Sequence, residues 1–192
     1  MSENSIVYRD FESPLGPMIA GATPNGVCFL EWHDRGGVER IMERVEKRYN
    51  MPLRPGGNAH LERLEGELAG YFAGMGKRFL TSVDVTGTQF EQAVWGQLVA
   101  IPYGQTRSYG DLALALGKPG AQRAVGRANG ANYVSIVIPC HRVIESNGNL
   151  RGYGGGLWRK KWLLELERGG GVPQVEIDIG AASAVAHSLR LL

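Results

Sequence analysis

The stretch SIVIPCHRVIE, Ser135 to Glu145, sets a cysteine and a histidine side by side directly after a proline. A free thiol has a pKa of about 8.5, so only a few per cent is thiolate at neutral pH, and a nucleophilic cysteine needs a base or a cation beside it. His141 is adjacent, but consecutive side chains of a regular strand point to opposite faces. The pair can cooperate only where the strand stops. Pro139 has no N–H to give a ladder, so SIVI reads as a buried strand, with Cys140 and His141 in a turn that lets both face one cavity. A base is usually oriented by a third group. Glu165 has Lys161 four residues before it, whereas Glu167 has Leu163 and Leu164 at those spacings and no local partner. A carboxylate so placed needs a hydrogen-bond donor, which His141 can supply. The alternatives stay open on spacing alone: Cys140 as a small buried hydrophobe ending a core strand, and Glu167 as a helix-end residue reaching to water.

The chain around these residues has 192 residues, 43% of them apolar, the composition of an ordinary globular protein. Its apolar runs fall well short of the roughly 18 residues that span a bilayer, and no basic start precedes an apolar stretch. The expectation is an unexported protein without membrane contact, in a reducing compartment where Cys28 and Cys140 remain free thiols. Four scattered histidines and two cysteines form no metal-ligand spacing, and Cys28 with His33, the only other close pair, does not make a zinc site. No metal and no cofactor are expected. Charge is uneven: residues 1–100 hold 10 Lys and Arg against 13 Asp and Glu, whereas residues 101–168 hold 10 against 4. The second part carries a positive field that suits a polyanion, or simply a solvated basic surface.

Elements that could position the site follow from pattern. SIVYRDF, PMIAGAT and GVCFLEW, separated by SPLG and TPNG, read as an antiparallel meander. VERIMERVEKRYN and His60–Phe72 read as amphipathic helices, with MPLRPGGN between them as a terminator, and FLTSVDVTG as a strand-like link. Thr88 and Glu91 form a capping box for a helix carrying Phe90, Val94, Leu98 and Ile101. The division expected is an N-terminal domain over 1–86, a second over 87–168, and a tail over 169–192. LWRKKWLLELE, from Leu157, is the last helix before the tail.

Ser108 and Asp111 can cap a two-turn helix ending at Gly117, and Ala121–Asn129 form a second after Pro119, a helix-turn-helix pattern. The second helix is thin. Ala121, Ala124, Gly126, Ala128 and Gly130 are small, and Gly126 costs about 1 kcal/mol relative to alanine, so something must come close. Gln122, Arg123 and Arg127 give it a polar side, with the arginines on one face. Such a helix suits a minor groove; the competing explanation is tight helix packing.

IPCHRVI, preceded by GQTRSYGDLA and RAVGRANG and followed by GYGGGLWRKKWLLELE, closely resembles the O6-alkylguanine-DNA alkyltransferases over Phe90 to Arg168. The earlier part, FESPLGPM to GYFAG, resembles them only in broad pattern. The resemblance implies an α+β fold, with a small ribonuclease H-like N-terminal domain of antiparallel sheet and helices. A mostly helical, winged helix-turn-helix-like alkyltransferase domain follows. It implies a cytoplasmic repair protein, associated with the nucleoid in a bacterium and monomeric without DNA. Its partner is double-stranded DNA carrying O6-alkylguanine, with O4-alkylthymine as a second substrate. The damaged base is flipped out and its alkyl group is transferred irreversibly to Cys140, activated through His141, a water and Glu167.

By the same resemblance Tyr109 lines the base pocket and hydrogen-bonds the guanine, and Asn132 braces the active-site turn. Arg123 is the finger that fills the gap, on the helix with Ala121, Gln122, Gly126 and Arg127 that enters the minor groove. Val143, Tyr153, Gly154 and Gly155 border the guanine, and Gly110, Lys118 and Ser146 lie toward DNA phosphates. Gly154 stands where some members have serine, and Tyr133 follows Asn132 where many have proline. The zinc ligands of some members have no match. Two other functions compete: a DNA-binding lesion sensor or regulator without chemistry, which has no need of the thiol, and a turnover cysteine hydrolase, which needs a product that releases it.

Overall fold

The computed structural model describes residues 4–169; nearly all of the expected tail lies outside the described residues. Three strands, β1 (Ile6–Phe11), β2 (Met18–Thr23) and β3 (Gly26–Trp32), form the expected antiparallel meander. β2 and β3 are buried along their whole length because helices cover them: α1 (Val38–Tyr49) and α2 (Ala59–Phe72) both pack on this sheet. Asn58 caps α2 by accepting from the backbone N–H groups of His60 and Leu61.

A fourth strand was not expected. Leu53–Pro55, β4, pairs in parallel with β1 at the edge of the sheet, in the order β3-β2-β1-β4. The prolines and glycines of the surrounding MPLRPGGN look like a helix terminator in sequence, and an edge strand is where a proline such as Pro55 is tolerated. The FLTSVDVTG segment, by contrast, makes only an isolated parallel bridge, Val83 to Val27.

Beyond it, α3 (Gln89–Val99) starts at Thr88 with the capping box complete, Thr88 and Glu91 each bonding the other's backbone N–H. β5 (Arg107–Ser108) leads into α4 (Tyr109–Ala115), which Ser108 and Asp111 cap in the same reciprocal way. After a turn, α5 (Gln122–Gly130) packs on both α3 and α4, so the two-helix corner is present. Val125, Ala128 and Asn129 face inward and Gln122, Arg123 and Arg127 face solvent. A short parallel pair, β5 with β6 (Val143–Ile144), and α6 (Leu157–Glu167) complete the chain.

The buried strand expected over SIVI is not there. Val134 makes one bridge to Leu30, and Ser135 donates to the Leu30 carbonyl at 2.9 Å; the chain then folds on itself, with Val137 N–H to Ser135 O at 2.8 Å and Ile138 N–H to Val134 O at 3.0 Å. Ile136 takes a left-handed φ of 70°, which a β-branched residue adopts only when its surroundings impose it. These apolar side chains are buried as expected, but they serve as plugs rather than as a ladder: Ile136 and Ile138 are within the core while their backbone turns. Tertiary packing overrides strand propensity here.

The two parts of the chain interlock. Buried Arg159 on α6 donates to Leu15 O at 2.9 Å, to Gly155 O at 2.8 Å and to Asp34 at 2.9 Å, between the rings of Trp32 and Trp158. Tyr133 donates to Thr86 O at 2.8 Å, accepts from Arg48 at 2.7 Å, and stands edge-on to Trp95.

Candidate active site

Pro139 ends the folded SIVI segment, and Cys140–Arg142 form a single 3₁₀ turn before β6. That turn directs His141 inward. Its Nε2 lies 2.8 Å from Oε1 of Glu167, the last residue of α6, and both side chains are buried. An ionised carboxylate can only accept, so Nε2 carries the proton and Nδ1 keeps its lone pair. Nδ1 is buried and has no hydrogen-bond partner in the protein.

Glu167 collects five hydrogen bonds. Besides His141, Oε1 accepts from Tyr71 Oη at 2.8 Å and Arg142 Nη2 at 2.9 Å, while Oε2 accepts from Arg142 Nε at 2.8 Å and Gly104 N–H at 3.1 Å. Burial alone would raise its pKa, but the bonds and charges of His141 and Arg142 outweigh burial and hold it at about 2. The reading of Glu167 as a water-seeking surface residue is therefore overturned: it is 4% exposed and fully partnered. Burial lowers the pKa of His141, with Arg142 and Lys160 adding to it against the pull of Glu167. The imidazole is thus neutral and able to accept a proton near neutrality.

Cys140 is buried at the wall of a cavity of about 250 Å³. Burial raises the pKa of its thiol, opposed by an Asn132 hydrogen bond and by the charges of Lys160 and Arg35, so the resting group is a thiol that requires a base. Asn132 also ties the turn at both ends, donating to Ile138 O at 2.9 Å and accepting from Val134 N–H at 3.0 Å. Tyr109, Gly126, Asn132, Tyr153 and Gly154 line the same cavity as Cys140. The Tyr109 hydroxyl donates to Arg151 O at 3.1 Å, and Tyr153 stands edge-on to His141 and Trp32. Gly126 abuts the Tyr109 ring, where an added Cβ would sit at 3.8 Å, an ordinary contact.

The remaining residues singled out in sequence are not on the wall of this cavity. Val143 is fully buried, and its carbonyl is taken by Lys160 Nζ at 2.6 Å. Gly155 is packed against Trp32, where a Cβ would meet the ring at 2.7 Å. Gln122, Arg123, Arg127, Lys118 and Ser146 are exposed, and Ala121 and Gly110 are partly so.

Sequence reasoning missed four contributors: Tyr71, Arg142, Lys160 and Arg35. Lys160 is buried and also reaches Arg151 O at 2.8 Å; burial pulls its pKa down to about 8. Arg35 lines the cavity from the N-terminal part, bonded to Glu31 and to Asn132 O. Arg142 carried a usable signal, an arginine next to the candidate base; the others had none.

The family described as 6-O-methylguanine DNA methyltransferase, DNA binding domain, matches residues 89–169. A methylated-DNA–protein-cysteine methyltransferase of Mycobacterium leprae is 45% identical over 166 residues, 85% of this chain and 93% of the relative. An inducible one of Bacillus subtilis is 47% identical over 77% of this chain and 82% of its own length. Among solved structures, the Mycobacterium tuberculosis OGT in complex with DNA superposes with a TM-score of 0.73 at 41% identity, covering 85% of this chain and 93% of that one. Sequence identity across almost the full length of these relatives, on a shared fold, places the chain in the methylated-DNA–protein-cysteine methyltransferase family.

Proposed function

We propose that the protein repairs O6-alkylguanine in double-stranded DNA by moving the alkyl group onto its own Cys140, one lesion per molecule. The observation that carries this reading is a buried thiol on the wall of a base-sized cavity, one residue from a histidine locked to an ionised carboxylate.

His141 Nδ1 takes the thiol proton through a bridging water, and Glu167 steadies the imidazolium that forms. The thiolate attacks the alkyl carbon: an S–C bond forms, the C–O6 bond breaks, and its electron pair goes to the guanine, which takes up a proton. Tyr109, which lines the cavity, turns its hydroxyl from the Arg151 carbonyl to donate to the guanine ring and eases that departure. Asn132 holds the turn so that Sγ faces the base. The thioether has no leaving group of comparable ease, so the protein is spent.

A base reaches this cavity only when rotated out of its stack, at a cost of a few kcal/mol. α5 supports the DNA side of the reading: its exposed face carries Gln122, Arg123 and Arg127, and its inner face, Gly126, Asn129 and Gly130, lines the cavity. Arg123 fills the gap in the stack. Ala121 and Gly126 permit close approach to the minor groove, and Gly110, Lys118 and Ser146 meet phosphates. Tyr153 and Gly154 border the base, with Val143 and Gly155 behind them. The cellular place of such a protein is the cytoplasm, on the nucleoid in a bacterium, as a monomer until DNA is bound.

The test is incubation with a duplex carrying O6-methylguanine, followed by peptide mass analysis. A methyl group on the Cys140 peptide is the expected result. Binding to the duplex with Cys140 left unmodified overturns the reading in favour of a lesion sensor.

A further inference from the structure

One of the five hydrogen bonds to Glu167 comes from the N-terminal part of the chain. Tyr71, in the last turn of α2, is 1% exposed, and its hydroxyl donates to Oε1 at 2.8 Å. That is the oxygen His141 also reaches, at 2.8 Å. The Tyr71 ring cannot swing away: Phe72, Phe79 and Tyr103 pack on it with centroids 5.5 to 6.1 Å distant. Burial, and then the charge of Glu167, push its phenol well above the ordinary value, so the hydroxyl stays a donor throughout the working pH range.

A donor placed on a carboxylate oxygen draws negative charge toward itself and stabilises the anion. The more donors share that oxygen, the less each is held. An imidazolium at His141 is stabilised by the charge remaining on Oε1, so a further donor there, beside Arg142 Nη2, lowers the proton affinity of His141. We propose that Tyr71 is a positioning residue for the transfer step, fixing the Glu167 carboxylate and moderating its pull on His141, so that Nδ1 is free to take the thiol proton down to a lower pH. This rests on the reading that His141 activates Cys140. The other titratable groups that face the pair are Arg142 in the same turn, Tyr153 edge-on to the His141 ring, Lys160 from α6, and Tyr103 with Lys77 over its ring. Replacing Tyr71 by phenylalanine leaves all of them in place.

The experiment uses the full chain and free O6-benzylguanine, which needs no DNA binding. In Tyr71→Phe the acid limb of the rate profile is expected to move up by about half to one pH unit. That is a threefold to tenfold loss on the acid side, with little change on the plateau. The ring resonances of His141, followed by NMR, shift their titration by the same amount. Leu64→Ala, a buried position on the same helix, lowers thermal stability without moving the limb. An acid limb and a His141 titration that stay put in Tyr71→Phe, or move to lower pH, overturn the proposal. Should the unmodified chain leave Cys140 without a benzyl group, the alkyltransferase reading fails instead, and the NMR titration still decides what Tyr71 does to His141.

Discussion

Residues 88–169 and residues 4–86 contribute to the site in opposite ways. The later region supplies the cysteine, the histidine, the carboxylate, the cavity floor and the exposed arginines of α5, each from a short run with recognisable chemistry. The earlier region supplies no motif, yet Tyr71 touches Glu167, Arg35 lines the cavity, Trp32 backs Gly155 and Tyr153, and Leu30 pins the start of the active-site turn. The difference teaches that the groups proposed to react are concentrated in one region, while the groups that contact and brace them come from both.

The sharpest separation is at the thiol itself. Cys140→Ser keeps the volume and the DNA-facing surface but offers a far poorer nucleophile, so transfer should fall by on the order of a thousandfold or more while duplex affinity is unchanged. Mass analysis of the protein after incubation, alongside a binding titration, reads both. Equal loss of binding would mean that the cysteine is part of the DNA surface and the regions do not divide in this way.

Glu167 is where the two regions meet, so its removal should damage chemistry and stability together. Glu167→Gln leaves Arg142 buried without its counter-ion, with an expected loss of about 3–5 kcal/mol, and withdraws the anion behind His141, with an expected loss of about a hundredfold in rate. The wild type should show the same weakness in acid. The folded pKa of Glu167, about 2, lies below its ordinary value of 4.5. Its contribution to stability is therefore fully present above 4.5 and is lost as pH falls toward 2. His141, also lowered, acts in the same direction below its ordinary value of 6.5. Denaturant titrations across this range should show a steeper acid loss in the wild type than in Glu167→Gln; parallel curves would remove the carboxylate from the account.

Arg123 tests the DNA side with the chemistry held constant. It is exposed on α5 and outside the cavity. Arg123→Ala should slow repair of a lesion in duplex DNA by about tenfold to a hundredfold, the scale set by a flipping cost of a few kcal/mol. Transfer from free O6-benzylguanine should be unaffected. Similar losses on both substrates would place Arg123 in the chemistry rather than in the stack.

How much of this could be read beforehand follows the same division. The caps at Thr88 and Ser108 are local, three residues from donor to acceptor, and they were legible residue for residue. Glu167 was legible through an absence: a carboxylate with leucines where its local partners should be must look elsewhere. Tyr71 was not, because its partner is 96 residues away and its own helix shows only an ordinary apolar face. Lys160 and Arg159 carry no local sign of burial in the sequence, yet both are buried, with Arg159 on the Leu15 carbonyl and Lys160 on that of Val143. SIVI misled for a related reason. A β-branched run reports burial reliably and backbone shape only weakly, and here the shape is set by Asn132 bonding across the turn.

The smallest effect expected is at the junction of the regions. Gly155 precedes α6 and packs on the Trp32 ring, where a Cβ would come within 2.7 Å of Cε3. Trp32 is fully buried and is wedged by Arg159 and Tyr153, so it cannot retreat freely. Gly155→Ala should therefore cost about 1–3 kcal/mol through overpacking. Gly126→Ala makes an instructive partner, since its Cβ would meet Tyr109 at an ordinary 3.8 Å and the helix would gain up to about 1 kcal/mol in propensity. Thermal melts should move in opposite directions for the two. If Gly155→Ala is neutral instead, Trp32 can shift without strain, and the contact between the regions is looser than its burial suggests. In that case the earlier region acts on the site through Arg35 at the cavity wall and Tyr71 on Glu167, across a junction that does not itself constrain the site.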